Sequence, residues 1–254
     1  MTTIDYASLA DELAAARRDR TTIVPPSTRA QAFALTDGYA VGALLCDRHA
    51  RLGDRRVGLK IGFTNTALWT AFGLAEPICA PVYESTVRHG GDQTSFSMSA
   101  LVAPKLEPEI VIGLDSSGPA WWALGYEIVD CHYADWKMGP ADAVADAGLH
   151  AALLVGPRMT LGTGAPELRT PFGVQLFCNG GLVESSTTRV VLGSPLVALA
   201  FATGIGKKTA ALEPPRPGEL VTTGSLTTAF DLKPGQTWQF RADGITASLD
   251  LHVT

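Results

Sequence analysis

The chain has 254 residues, of which 46% are hydrophobic and 18% charged, a composition typical of a soluble globular protein with room for a sizeable core. The formal net charge of −5 and the lack of any Lys/Arg-rich block argue against nucleic-acid binding. No signal-peptide pattern opens the sequence, no uninterrupted apolar run is long enough to span a membrane, and the four cysteines form no Cys-x-x-Cys pair. We therefore expect a cytoplasmic protein that acts on a small molecule.

The first fifth of the chain has helical patterns. Asp5 is a suitable N-cap for a helix through "YASLADELAAARR", with Ile4 placed to pack against Leu9. The prolines of "TTIVPPST" end this pattern, and a second helix is predicted to start at Thr36 as N-cap and to end before Gly53. Its predicted apolar face consists of Val41, Leu44, Leu45 and Leu52.

The remainder of the chain is dominated by strand patterns. "RRVGLKIGF", "LEPEIVIGL" and "LGYEIVDCH" predict strands, and Asn179-Gly180 and Asp243-Gly244 predict hairpin turns. After the second turn, the apolar residues Ile245, Ala247, Leu249, Leu251 and Val253 alternate with polar ones. One further helix is predicted over 193–204. We therefore predict an α+β fold, with a helical segment at 1–56 and a β-rich catalytic domain at 57–254.

Several familiar motifs are incomplete or absent. "GIGKKT" lacks the Ser or Thr and the upstream glycine of a phosphate-binding loop, and "GLKIGF" lacks the third glycine of a dinucleotide fingerprint. Neither a Gly-x-Ser-x-Gly nor a His-Glu-x-x-His motif occurs, and the five histidines show no zinc-ligand spacing. These absences disfavour nucleotide chemistry, serine hydrolysis and a zinc site.

Two glutamates in an apolar strand are the main chemical signal. Glu107 and Glu109 of "PKLEPEIVIGL" are two residues apart, so their side chains point to the same face of a strand. Paired carboxylates that lose hydration need compensation, and a hard divalent cation such as Mg²⁺ or Mn²⁺ would supply it. Glu127 and Asp130 are candidates for a third acid. The alternative interpretation is a solvent-facing side of the strand without a metal.

Five motifs occur in an order that resembles one family. "GLKIGFTN", "PKLEPEIVIGL", "YEIVDCHYADWK", "ADAVADAG" and "GELVTTGSLT" resemble the 2-keto-4-pentenoate hydratase and 4-oxalocrotonate decarboxylase branch of the fumarylacetoacetate hydrolase superfamily, over roughly residues 30–254. The resemblance implies a β-rich fold of mixed sheets rolled into a barrel-like body. It also implies Mg²⁺ or Mn²⁺ bound by two glutamates and a third acid, and a homo-oligomer, which could associate with a pathway decarboxylase.

The resemblance also implies the site residues. The paired glutamates match Glu107 and Glu109, and the third ligand falls on Glu127, with Asp130 as the alternative. Lys60, in an apolar strand, matches the family's lysine and is the candidate general acid/base. A buried lysine beside a cation is expected to have a lowered pKa.

Further candidates lie in two other motifs. In "GELVTTGSLT", Ser225 and Thr227 are candidate substrate contacts, although a Gly-Ser turn would explain Ser225 as well. "DAGLH" departs from the Asp-Asn-Ala-Ser of many relatives, and "PICAPVYEST" also departs from the hydratase pattern. Both segments are expected beside the substrate, with Asp146 as a contact. His150 is a candidate proton donor or a structural histidine.

The resemblance implies a metal-dependent lyase, a hydratase that adds water to 2-hydroxypenta-2,4-dienoate or a similar 2-oxo acid in the catabolism of aromatic compounds. The alternatives are decarboxylation of a 2-oxo-3-enedioate, for which Lys105 or Arg88 would bind the second carboxylate, and hydrolysis of an acylpyruvate. A hydrolase would need a His-Glu pair near the N-terminus, and none is found, since His49 lies too close to a helix end. The alternative outside catalysis is a partner subunit of an active paralogue.

Overall fold

The described residues of this computed structural model are 4–29, 32–90, 93–162, 166–246 and 248–254, and they form six α-helices and fourteen β-strands. The helices are α1 (Tyr6–Asp19), α2 (Pro26–Arg29), α3 (Leu35–Arg51), α4 (Trp69–Phe72), α5 (Pro140–Ala145) and α6 (Pro195–Gly204). The strands are β1 (Arg56–Gly62), β2 (Ile78–Tyr83), β3 (Val87–His89), β4 (Gln93–Phe96), β5 (Lys105–Asp115), β6 (Gly118–Val129), β7 (His150–Val155), β8 (Met159–Thr160), β9 (Gly173–Cys178), β10 (Gly181–Thr187), β11 (Leu220–Thr222), β12 (Phe230–Asp231), β13 (Thr237–Ala242) and β14 (Ser248–Val253).

The strands form two mixed sheets. The larger sheet has the order β2-β1-β11-β5-β6-β7-β3, with β12 also paired to β5 and β8 to β6, and the smaller has the order β10-β9-β13-β14-β4. The pairs β1–β11, β3–β7 and β14–β4 are parallel. Ile110 and Leu124 of the larger sheet share a core with Phe240 and Leu251 of the smaller one. The predicted α+β fold with a β-rich body is therefore confirmed.

The N-terminal helices agree with the prediction at α1, but the short helix α2 lies in the segment predicted only as a break, and the start of α3 differs. Asp5 caps α1 by accepting a hydrogen bond from the backbone N–H of Ala7 (3.0 Å). The predicted N-cap of α3, Thr36, is wrong: the helix begins at Leu35, because the Asp37 carboxylate reaches back to the N–H of Ala34 (2.7 Å). Leu52 was predicted on the buried face, but it follows the last helical residue and is 84% exposed.

Both predicted hairpins are present. Asn179 and Gly180 have positive φ values of 50° and 79° and join β9 to β10, as a tight hairpin turn requires. Asp243-Gly244 follows β13 and leads towards β14, in which Leu249, Leu251 and Val253 are buried. Ala247 of the predicted strand lies outside the described residues. The predicted helix over 193–204 is α6, which Ser194 caps.

One apolar segment, Thr188–Lys207, is long and apolar enough to cross a membrane by length and composition alone. In the structure, its α-helix is α6, with 10 residues, and α6 buries Ala198 and Ala202 in the main core. About a third of the segment is buried (33%), so α6 packs one face against the core. All four cysteines are free thiols, of which Cys79 and Cys131 are buried.

The change from helices to strands occurs between Arg51 and Arg56, close to the predicted boundary at 56/57. The helices also contribute to a core of the β-rich part, because Leu13 and Val41 pack in one cluster with Ile78 and Leu149. The division into a segment at 1–56 and a domain at 57–254 stays a prediction.

We predict that Gly58→Ala destabilises the protein by about 1–3 kcal/mol or more, because overpacking forces the backbone to move. Gly58 of β1 lies opposite Leu220 of β11, and a Cβ atom there would lie 2.1 Å from the Leu220 carbonyl oxygen. Urea unfolding measures the change. The control is Gly204→Ala at the end of α6, where a Cβ meets no atom within 4 Å. Equal unfolding midpoints for the two variants would contradict the prediction.

Candidate active site

Three glutamates converge on the face of the larger sheet. Glu107 and Glu109 point to the same side of β5, and Glu127 of β6 lies directly opposite Glu107. One carboxylate oxygen from each of the three lies within 4.8 Å of the other two. Glu109 and Glu127 are fully buried, whereas Glu107 is half-buried. An all-oxygen donor set of this size suits a hard divalent cation.

The Glu109 carboxylate is held from one side only. Its Oε2 accepts hydrogen bonds from the Thr222 hydroxyl, at the end of β11, and from the backbone N–H of Gly224 (2.8 Å). Its Oε1 is buried and has no hydrogen-bond partner in the described structure. Such an unpartnered buried oxygen is costly unless a ligand binds it. Sequence reasoning missed Thr222 and Gly224, although "GELVTTGSLT" was the signal that could have identified them.

Lys60 of β1 lies beside the carboxylates. Its side chain is buried, and Nζ donates a hydrogen bond to the Gly148 carbonyl oxygen (2.8 Å). Nζ also lies 3.1 Å from Glu127 Oε2, which is an ion-pair distance, although that oxygen has no partner with hydrogen-bond geometry. A Cβ atom on Gly148 would lie 3.1 Å from Lys60 Cδ and 2.7 Å from Ala80 Cβ, so this close approach needs a glycine.

His150 lies behind Glu127. Its Nδ1 is 2.8 Å from Glu127 Oε1, and its Nε2 is 2.9 Å from the Thr86 hydroxyl. Both ring nitrogens are therefore within hydrogen-bond distance of protein atoms, and His150 does not line the cavity in front of the glutamates. The expectation of a direct proton donor is not supported by this position. His150 instead fixes the orientation of the Glu127 carboxylate.

The other two predicted acids are engaged elsewhere. Asp130, the alternative third ligand, accepts hydrogen bonds from the backbone N–H groups of Val102 (3.0 Å) and Ala103 (2.7 Å) and is outside the glutamate cluster. Asp146, predicted to contact substrate, is 2.8 Å from His132 Nδ1 and 3.3 Å from Arg17. Asp146 does not line the cavity in front of the glutamates. Its hydrogen bond with Arg17 joins the end of α5 to α1.

Burial and mutual repulsion change the pKa values of these groups. Burial raises the pKa of Glu107 to about 7 and raises that of Glu109 well above its ordinary value. For Glu127, burial is outweighed by Lys60 and His150, and its pKa is lowered. Burial alone would lower the pKa of Lys60, but the three carboxylates, Glu127 first, outweigh it, and the net shift is upward. The predicted lowering therefore requires a cation that offsets the carboxylates.

A cavity of about 420 Å³ opens in front of the cluster. Lys60 and Glu107 form part of its wall, together with the predicted contacts Ser225 and Thr227. Ser225 Oγ donates a hydrogen bond to the Thr227 carbonyl oxygen (2.9 Å). A small molecule in this cavity would meet a carboxylate cluster, an ammonium group and two hydroxyls, an arrangement suited to stabilising negative charge and moving protons.

Comparison with known proteins supports the predicted relationship. No family model matches the chain. The chain is 29% identical over 256 residues to 2-keto-4-pentenoate hydratase from Paraburkholderia phymatum, covering 94% of each chain, and 29% identical over 225 residues to 4-oxalocrotonate decarboxylase from a Pseudomonas species, covering 83% of this chain and 84% of that one.

A solved structure shows the same fold. The 4-oxalocrotonate decarboxylase of Pseudomonas putida G7, complexed with magnesium and adipate, superposes with a TM-score of 0.89 at 24% identity and covers 100% of both chains. The motif-based prediction of the relationship is confirmed. Over nearly its whole length the chain is thus similar to the 2-keto-4-pentenoate hydratase and 4-oxalocrotonate decarboxylase branch of the fumarylacetoacetate hydrolase superfamily, and it has the fold of the solved decarboxylase.

Proposed function

We propose that this chain is a divalent-metal-dependent hydratase that adds water to 2-hydroxypenta-2,4-dienoate or a similar 2-oxo acid in the catabolism of aromatic compounds. The observation that carries the proposal is the convergence of Glu107, Glu109 and Glu127 beside Lys60 at the wall of a cavity. The prediction of a hydratase-type lyase agrees with its relatives, several of which are named hydratases.

The residues present fit a divalent cation. Two buried oxygens, Glu109 Oε1 and Glu127 Oε2, lack hydrogen-bond partners in the described structure, and Glu107 completes a set of hard ligands. We assign Mg²⁺ or Mn²⁺ to this set. When bound, the cation would stabilise negative charge that develops on the 2-oxo oxygen of the substrate.

Lys60 is the group placed to hold and move a proton. Its Nζ carries three donors, of which one bonds the Gly148 carbonyl oxygen; the ammonium group also forms an ion pair with Glu127 (3.1 Å), and the side chain borders the cavity. Hydration needs protons delivered to carbon and taken from water, so a lysine that donates a proton as ammonium and takes one back as the neutral amine could serve both steps. Ser225 and Thr227 are proposed to orient the substrate through their hydroxyls.

The decarboxylase alternative is kept because some relatives are named 4-oxalocrotonate decarboxylases. Its substrate carries a second carboxylate, for which the candidate cations were Lys105 and Arg88. Neither residue lines the cavity. A partner subunit without activity is disfavoured, because it has no need for three desolvated acids beside a lysine. Cytoplasmic location, a homo-oligomeric state and association with a decarboxylase stay predictions.

We predict that Mg²⁺ or Mn²⁺ binds one site per chain and that affinity increases as pH rises from about 6 to 8. Burial raises the pKa of Glu107 to about 7 and that of Glu109 well above its usual range, so protons compete with the metal at low pH and are released on binding. Calorimetric titration in buffers of different ionisation enthalpy measures both effects. Glu109→Gln should weaken binding strongly, whereas Glu213→Gln, an exposed control, should not. Equal affinity of all three proteins would contradict the metal site.

We predict that 2-hydroxypenta-2,4-dienoate gains one water in the presence of Mg²⁺ and that a chelator abolishes this reaction. Glu107→Gln should abolish metal-dependent turnover, and Lys60→Met should lower kcat by about 10²–10⁴-fold, the usual contribution of a general acid/base. The product mass and the rate of loss of dienol absorbance are the readouts. Lys233→Met, at an exposed position, is the matched control. Full activity of Glu107→Gln would rule out the metal role.

A further inference from the structure

The charged groups of the cavity wall are few and unevenly distributed. Among the described residues that form the wall, those with charged side chains are Lys60, Glu107 and Glu184. Lys60 and Glu107 belong to the proposed site formed by the three glutamates and the lysine. The Glu184 carboxylate accepts hydrogen bonds from the backbone N–H (3.2 Å) and the hydroxyl (2.7 Å) of Thr228. The wall away from the cluster therefore presents a negative charge and no arginine, histidine or second lysine.

The basic residues that could have recognised a second carboxylate are used elsewhere. Lys105 Nζ pairs with Asp231 (3.1 Å) and lies 4.9 Å from the centre of the Trp136 ring. Arg88 lies over the Phe96 ring, with its guanidinium carbon 5.3 Å from the ring centre. A carboxylate at the distal end of a bound substrate would thus lose hydration and gain no cation in return.

The rest of the wall is mainly apolar. Its large apolar side chains include Phe63, Leu68, Phe72, Ile78, Trp136 and Leu149. The Phe63 and Phe72 rings contact each other with centroids 5.2 Å apart. Phe63, Trp136 and Leu149 all have positive φ values, of 56°, 58° and 63°, a conformation that disfavours bulky residues. The fold thus accepts unfavourable backbone conformations at residues whose side chains form an apolar wall.

The size of the cavity also favours a ligand with an apolar group at its distal end. Its volume of about 420 Å³ lies within the range of sites that enclose drug-sized ligands. A five-carbon acid bound at the glutamate cluster would leave much of the apolar wall facing water. An apolar group attached to the end of that acid would cover the wall and gain from its burial.

We propose that the natural substrate carries an apolar substituent, an alkyl chain or a phenyl ring, on C5 of the 2-hydroxydienoate, and that the cavity rejects a carboxylate at that position. This inference rests on the proposed function and specifies its substrate class. Hydration leaves the substituent untouched: C5 and C3 each gain a hydrogen, C4 gains the hydroxyl, and the 2-hydroxyl loses its proton to become the 2-oxo group. The substituent therefore takes no part in the bonds that form or break.

Unreactive 2-oxo acids test the inference without turnover. We expect the Mg²⁺-loaded protein to bind 2-oxohexanoate at least tenfold more tightly than 2-oxohexanedioate, which has the same number of carbons but ends in a carboxylate. We expect 5-phenyl-2-oxopentanoate to bind at least as tightly as 2-oxohexanoate. Calorimetry gives the dissociation constants, and the protein's tryptophan fluorescence, to which Trp136 of the wall contributes, is a second readout. Equal binding of the two six-carbon acids, or tighter binding of the dicarboxylate, would overturn the proposal.

A matched pair of variants tests whether the cavity wall determines the preference for 2-oxohexanoate over 2-oxohexanedioate. Leu68 is 45% exposed and lines the cavity, so Leu68→Lys adds a cation there at small cost to folding. We expect this change to reduce the preference for 2-oxohexanoate at least tenfold. Leu52→Lys places the same cation at an exposed position outside the cavity wall and should leave the preference unchanged. An unchanged preference in Leu68→Lys would place recognition elsewhere and overturn the proposal.

Turnover separates this inference from the function on which it rests. Hydration of 2-hydroxypenta-2,4-dienoate with the reverse order of analogue binding would retain the proposed function and reject the apolar substituent. The expected order of binding without hydration of any dienoate, substituted or not, would reject the hydratase and retain the ligand class. The two failures are therefore distinguishable with the same protein preparation.

Discussion

The arrangement of the site depends on one electrostatic constraint, the meeting of three carboxylates at a place where water is largely excluded. With all groups ionised, Glu107, Glu109 and Glu127 face a single ammonium group on Lys60, which leaves two negative charges uncompensated. Without a cation, the cluster lowers its charge by holding protons, as the raised pKa values of Glu107 and Glu109 indicate. A divalent cation would supply the missing charge and so stabilise the cluster in its ionised form.

Between Leu106 and Val111, where two of the glutamates lie, strand β5 pairs with β6 on one side and with no strand on the other. β11 pairs with β5 at Val111 and beyond, and β12 pairs with it at Leu106, so neither lies opposite the segment between them. Pro108, which has no N–H to donate, occupies this gap, and its carbonyl accepts a hydrogen bond from Leu226 (2.8 Å). The chain between β11 and β12 passes this gap, where Gly224 bonds Glu109 and the hydroxyl residues Ser225, Thr227 and Thr228 line the cavity.

Sequence patterns predict those parts of the site that depend on local geometry. The alternation of a strand is enough to put Glu107 and Glu109 on one face, as the structure has them. The roles of Asp130, Asp146 and His150 depend on distant partners, and no local period shows these. Asp146 meets an arginine 129 residues away, and the ring of His150 meets a threonine 64 residues away. An acid or a histidine in an apolar segment can therefore face a ligand site or bond another part of the protein. Only the packing of elements that are distant in sequence determines which of the two it does.

Lys60 links the electrostatics of the cluster to its chemistry. The Gly148 carbonyl and the Glu127 carboxylate fix the position of Nζ, and His150 fixes that carboxylate from the opposite side. In the protein alone, the three acids hold the proton on Lys60, and its pKa is raised. A cation bound by the same acids would offset their negative charge and so weaken their hold on the Lys60 proton. The three proposed metal ligands are thus also the acids that hold the proton on the lysine, an arrangement that would couple metal binding to proton transfer.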